Sequence, residues 1–235
     1  MKNLASLLVA SLLALAPATA AAYCPAVTGL APAIASPSGH ELPPDGGIVV
    51  GAFGADVPLP TGDPATQPGW RINSGETRST PKIVTIAPGL VVYRSSVRSG
   101  RIDLEDDSQT SKAWVIATTT KVPRLDAPVV KSAVVIGDPA FTHIDLELSA
   151  KPPKDAIAIV LTDKKGVPRS WGLVLAGHTG QHAYASNRCE VVPNGSTLSQ
   201  AGDRIRFFFV DRWGRTSPVS NIVTLAGKPV IPGVP

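Results

Sequence analysis

Three observations predict an all-β fold for this 235-residue chain, arranged as two tandem antiparallel β-sandwiches behind a cleaved leader. Apolar residues alternate with a period of two in many short segments, the spacing that puts one face of a strand on a core. Twenty-one glycines and 23 prolines punctuate those segments at strand-length intervals, and the prolines oppose helix throughout. No segment of the first half carries an apolar stripe at helical spacing, so helix is expected in the leader alone.

The leader comes first. Lys2 precedes an apolar run over residues 4–16, and then come Pro17 and the small series Ala18, Thr19, Ala20, Ala21, Ala22. This is the pattern of a secretory signal peptide, with cleavage after Ala20 or Ala22. The run is too short for a permanent transmembrane helix, and no later stretch is long enough for one. Tyr23 stands before Cys24, where a lipid anchor needs a small residue. Residues 1–22 therefore predict a soluble, processed protein in the periplasm or outside the cell. Cleavage after Ala22 leaves 213 of the 235 residues, which suits two sandwiches of about 100 residues each.

Charge and cysteines narrow the class. The formal net charge is +4, of which Lys2 leaves with the leader, and no basic run exists, so nucleic acid is not an expected partner. Two cysteines in an exported chain predict one disulfide, Cys24 to Cys189. Closing a loop of about 165 residues, it would restrain the unfolded chain by roughly 5 kcal/mol. It would also tie the mature N-terminus to the second domain.

Residues 23–120 form the first predicted domain. Its opening, to residue 46, is rich in Pro, Ala, Ser and Gly and ends in a turn over Pro43, Pro44, Asp45, Gly46 and Gly47. From Ile48 the segments GIVVGAFG, WRI, KIVTIAPG, LVVYRSS, GRIDLEDD and KAWVIATTT each have the length of a strand, interrupted by a turn-rich insert over residues 58–69. Residues 121–130, KVPRLDAPVV, hold two prolines and mixed charge and read as the linker.

The second domain, residues 131–228, offers seven strands, and residues 229–235 are a Pro-rich tail. THIDLELSA alternates cleanly, with Ile144, Leu146 and Leu148 on one face and His143, Asp145, Glu147 and Ser149 on the other, as a half-buried antiparallel strand requires. The strongest signal lies in residues 203–225, read as two long strands joined by a turn through Arg212, Trp213, Gly214 and Arg215. Ile205, Phe207 and Phe209 make one apolar face. Phe208 and Val210 fall on the other, which predicts a second surface lying over them.

From Leu198 onward, the order AGDRIRFFFVDRWGRTSPVSNIVTL resembles the last two strands of a fibronectin type III or related bacterial immunoglobulin-like module. The likeness covers roughly residues 125–226. It implies that the second domain is such a sandwich and that the loop bearing Trp213 contacts partners. One departure stands out: these modules carry a buried tyrosine near the start of the penultimate strand, and none lies between Leu198 and Asp211.

Candidate chemistry is sparse. His178 and His182 flank Thr179, Gly180 and Gln181 at an expected hairpin tip, where two imidazoles could share Cu or Zn; the same residues also suit a plain solvated turn. Asp103, Glu105, Asp106 and Asp107 offer hard oxygens for Ca²⁺ but match no calcium loop, and read as a solvated strand end. There is no Gly-x-Ser-x-Gly elbow and no phosphate-binding glycine loop. Trp213 between Arg212 and Arg215, with Phe208 beneath, has the composition of a binding hot spot.

These readings predict an exported, non-enzymatic protein without a cofactor, binding a protein or carbohydrate or building structure at the cell envelope. Two alternatives remain: a periplasmic Cu or Zn carrier using His178 and His182, and an accessory or enzyme domain with a site assembled between the two domains.

Overall fold

In the computed structural model, residues 33–34, 39–51, 70–75, 77–79, 81–106, 112–138, 141–187 and 201–227 are described. They form seventeen strands and no helix. Among them, no helix is long and apolar enough to cross a membrane. The expected leader (residues 1–22), the tail (229–235), and both Cys24 and Cys189 lie outside the described residues.

The first half contains β1 (Ala33–Ile34), β2 (His40–Leu42), β3 (Ile48–Gly51), β4 (Trp70–Ser74), β5 (Thr77–Ser79), β6 (Lys82–Ala87), β7 (Leu90–Arg94), β8 (Gly100–Asp106) and β9 (Lys112–Ala117). They make two sheets, ordered β1-β3-β7-β6 and β2-β9-β8-β4-β5. Between these lies a core of Ile48, Val50, Ile72, Val91, Tyr93, Ile102, Leu104 and Val115. Burial removes the Tyr93 phenol from water and pushes its pKa well above the ordinary range.

The second half contains β10 (Val130–Asp138), β11 (Phe141–Leu148), β12 (Ala156–Asp163), β13 (Pro168–Leu173), β14 (Gly180–Asn187), β15 (Arg204–Asp211), β16 (Val223–Thr224) and β17 (Ala226–Gly227). Its sheets run β14-β11-β10-β17 and β13-β12-β15-β16. The alternation of THIDLELSA is obeyed: Ile144, Leu146 and Leu148 turn inward to meet Ile159, Leu161, Ile205, Phe207 and Phe209.

A third apolar cluster joins the halves. Val49, Ala87, Leu90 and Val92, from the sheet holding β3 and β7, meet Ala158, Val160, Trp171, Phe208 and Val210, from the sheet holding β12 and β15. The two sandwiches are therefore stacked into four layers, with the inner two sheets apolar on both faces. This explains two runs that break alternation, IVV in β3 and FFFV in β15. A strand covered on both sides has no wet face and reads as a continuous hydrophobic run. The surface expected over Phe208 and Val210 is the first half of the chain itself.

Close approach at the seam depends on two glycines. A Cβ on Gly51 would stand 2.5 Å from the Trp171 ring, and one on Gly214 the same distance from the Val92 side chain. Gly214 also has φ +70°, where an L side chain is strained. Trp171 is fixed from the other side, its indole N–H donating to the Pro88 carbonyl at 3.0 Å.

The hairpin over residues 203–225 differs from the two long strands expected. β15 is long, but β16 has only two residues. Pro218 cannot donate to a ladder, and serine side chains stand in for one. The Ser217 and Ser220 hydroxyls accept from the amides of Phe209 and Phe207, each at 2.9 Å. The returning segment thus follows β15 without regular strand geometry.

Candidate functional site

Sequence singled out the tip of this hairpin, and the structure turns it inward. Asp211 ends β15 and is fully buried. Its Oδ1 accepts from the amides of Trp213 at 3.0 Å and Arg215 at 2.9 Å, which closes the turn around Gly214. Its Oδ2 accepts from Arg215 Nε and Nη2, both at 2.8 Å. The remaining Arg215 donors reach out of the turn, to the carbonyls of Val122 at 2.7 Å and Pro123 at 3.0 Å. One guanidinium therefore binds the tip to the segment connecting the halves. Burial pushes the Asp211 carboxyl above its ordinary pKa, against the pull of the amides and of Arg215.

Trp213 and Arg212 meet the first half. The Trp213 indole N–H donates to the Glu41 carbonyl at 2.6 Å, and the Gly47 amide donates to the Trp213 carbonyl at 2.8 Å. Arg215 lies over the indole with its guanidinium carbon 4.9 Å from the ring centre. Arg212 pairs with Asp155 at 2.9 Å and points Nη1 at the His40 ring. Asp45, on the turn between β2 and β3, faces Arg124 and Arg215; burial raises its pKa, but the Arg124 hydrogen bond and the Arg215 charge outweigh this and hold it below the ordinary value. Arg212, Trp213, Arg215 and Phe208 thus make an internal contact where an outside partner was expected. Among the described residues, apolar side chains and the Arg212–Asp155 and Arg215–Asp211 pairs fill this part of the seam.

A second constellation forms on the outer face of the β14-β11-β10-β17 sheet. His143 and Asp145 are two apart on β11 and share its wet face. Asp145 stands directly opposite His182 in the β11–β14 register, although 37 positions separate them. His143 Nε2 lies 3.3 Å and His182 Nδ1 2.5 Å from Asp145 Oδ1. The three donor atoms fall within 4.8 Å of one another, a set that could hold a metal ion. His178 is outside it, exposed in the turn before β14, where its carbonyl accepts from Gln181 at 2.7 Å. The sequence reading set His182 beside His178; in the structure the side chains next to His182 are those of Asp145 and His143. His143 was visible as a wet-face residue, yet only strand register shows what it faces.

The third feature is a surface. Trp114 on β9 is partly exposed on the outermost sheet of the first half, with Ile116 beside it. Arg101 lies over the indole at 4.8 Å and grips Asp103 at 2.7 Å, while Glu105 accepts from Asn73 at 2.6 Å. Two of the four acidic residues considered for Ca²⁺ are thereby engaged by neighbours. Asp107 and the Asp106 side chain lie outside the described residues. Nothing in the sequence ranked Trp114 above Trp213, because exposure depends on which sheet is outermost.

Fold and geometry define the class as an all-β protein of stacked sandwiches. No family model and no curated protein matches the sequence. Among solved structures, the chain is similar to the BSP domain of a biofilm associated protein, over 85% of this chain and 30% of that one, with 13% identity and a TM-score of 0.29. It is likewise similar to a β-1,2-glucanase from Parabacteroides distasonis, over 72% and 26% of the two chains, with 13% identity and a TM-score of 0.32. The chain spans less than a third of either.

Proposed function

We propose that this is an exported, non-enzymatic protein that binds or builds structure at the cell envelope or outside the cell. The observation that carries the reading is the clamped seam between the halves. Asp211 and Arg215 are charged groups that are costly to bury, and here their hydrogen bonds, together with that of the Trp213 indole, serve architecture. A chain that fixes two sandwiches face to face presents its outer sheets at a set angle, which suits a binding or structural part. Export rests on the residue 1–22 pattern. A Cys24–Cys189 bond would add a covalent tie to the same arrangement.

The finer identity of the second half belongs to this proposal. Its first, second and fifth strands share one sheet, with the two-residue eighth strand added at the edge, and its third, fourth, sixth and seventh form the other. That order supports an immunoglobulin-like module of the fibronectin type III kind. The surface offered to a partner is the Trp114 face, where an indole beside fixed carboxylate, amide and guanidinium groups suits a carbohydrate.

The test has two arms. Expressed in its own host, the protein is expected outside the cytoplasm without residues 1–22; retention in the cytoplasm with the leader attached contradicts export. Purified protein is expected to co-sediment with isolated envelope polysaccharide, and Trp114→Ala to abolish this. Equal sedimentation by the variant removes that face from the reading.

A further inference from the structure

We propose that His143, Asp145 and His182 form a binding site for one divalent late transition-metal ion, Zn²⁺ or Cu²⁺, on the outer sheet of the second half. The inference is independent of export and of the Trp114 face. It rests on the placement of three donors by two adjacent strands.

The geometry fits the ion. Tetrahedral ligands about 2.0–2.1 Å from zinc stand about 3.4 Å from one another. His143 Nε2 and Asp145 Oδ1 are 3.3 Å apart, already one edge of that figure. His182 Nδ1 is closer, at 2.5 Å, the distance of a hydrogen bond in which its N–H donates to the carboxylate. A metal ion takes the place of that proton, and the ring withdraws by about 1 Å to reach the tetrahedral spacing. His182 has room for this, being the most exposed of the three. The two imidazoles meet edge to face at 70°, an arrangement in which both nitrogens can converge on one point.

The sheet supports the site. Pairing between β11 and β14 slips between Thr142 and His143, an irregularity of the kind that re-aims a side chain beside functional sites. On the other flank, Val134 and Ile136 of β10 stand opposite Asp145 and His143 and wall the donors with hydrocarbon. Glu147, two residues beyond Asp145, adds negative charge to the same face.

Donor chemistry selects the ion class. Calcium and magnesium need six or more oxygens and have little use for imidazole. Two imidazoles and one carboxylate suit zinc, copper and nickel, with copper bound tightest on intrinsic affinity. Three protein ligands leave a fourth position open toward solvent.

The experiment is calorimetric titration of the tag-free, processed chain with ZnCl₂ and CuSO₄. One ion per chain is expected, with copper tighter. His143→Ala, His182→Ala and Asp145→Asn should each weaken binding by about tenfold or more, on the scale of perturbations to metal sites, whereas His178→Ala should leave it unchanged. Absence of binding at micromolar metal overturns the site, as does an equal loss from His178→Ala. A measurement on the unaltered protein guards against variants that fail to fold: Cu²⁺ should broaden the ring NMR signals of His143 and His182 and spare that of His178. Broadening of His178 first would contradict the assignment.

Discussion

Arg215 Nε lies 2.8 Å from Asp211 Oδ2, and both side chains are withdrawn from solvent, with 2% and 1% of their surface exposed. The pair sits where the hairpin tip, the connecting segment and the turn between β2 and β3 converge. Removing one partner leaves a buried charge without compensation, which costs about 3–5 kcal/mol. Arg215→Met should therefore lower stability by that amount in urea unfolding. The double variant Asp211→Asn, Arg215→Met should lose less than Arg215→Met alone, because the remaining amide still accepts from the turn while no buried charge is stranded.

Trp213 tests the same contact from its apolar side. Its indole is half-buried and hydrogen-bonded to Glu41. Trp213→Ala should cost about 2 kcal/mol, below the 3–5 expected for a fully buried tryptophan, and lower Tm by several degrees. A Tm equal to that of the unaltered protein would return this residue to the surface.

Gly51 tests the seam between the inner sheets. A methyl group there meets the Trp171 ring, fixed by its bond to Pro88, so that backbone or ring must shift. Gly51→Ala should cost about 1–3 kcal/mol, the range for overfilled interiors, read as a fall in the urea midpoint.

Asp163 gives a pH dependence. Its slight burial raises its pKa, but hydrogen bonds from the Val167 amide, Arg169 and the Lys165 amide outweigh that and lower it. A carboxyl with a lowered folded-state pKa stabilises the fold above its unfolded value, about pH 4, and that contribution is lost as pH falls through the folded value. Asp163→Asn should lower Tm by a few degrees at neutral pH, as expected for a partly exposed ion pair, and the difference should vanish in acid. A difference that grew on acidification would contradict the assignment.

Much of this fold was legible in the sequence because alternation reports directly on sheets with one wet face, as in β11. The run FFFV was also informative, since Phe208 and Val210 demanded a cover. What could not be read was which surface provides it. The meeting of Val49 and Val92 with Phe208 is a contact between segments more than 100 residues apart, and period-two patterns carry no such information. The same limit governed the sites. Trp213 had the composition of an exposed hot spot, but composition does not reveal that Glu41 waits for its indole. His143 and His182 meet only because the β11–β14 register places Asp145 opposite His182. The serine-supported return over residues 212–222 escaped as well, because hydroxyls standing in for a strand leave no periodic trace.

The central claim is that the two sandwiches are fixed as one four-layer body. Residual dipolar couplings of backbone amides in weakly aligned, uniformly labelled protein measure this directly. A single alignment tensor should fit both β3–β9 and β10–β15 with the halves in the orientation described. Two tensors of different magnitude would show halves that move independently, and the clamped seam would be refuted.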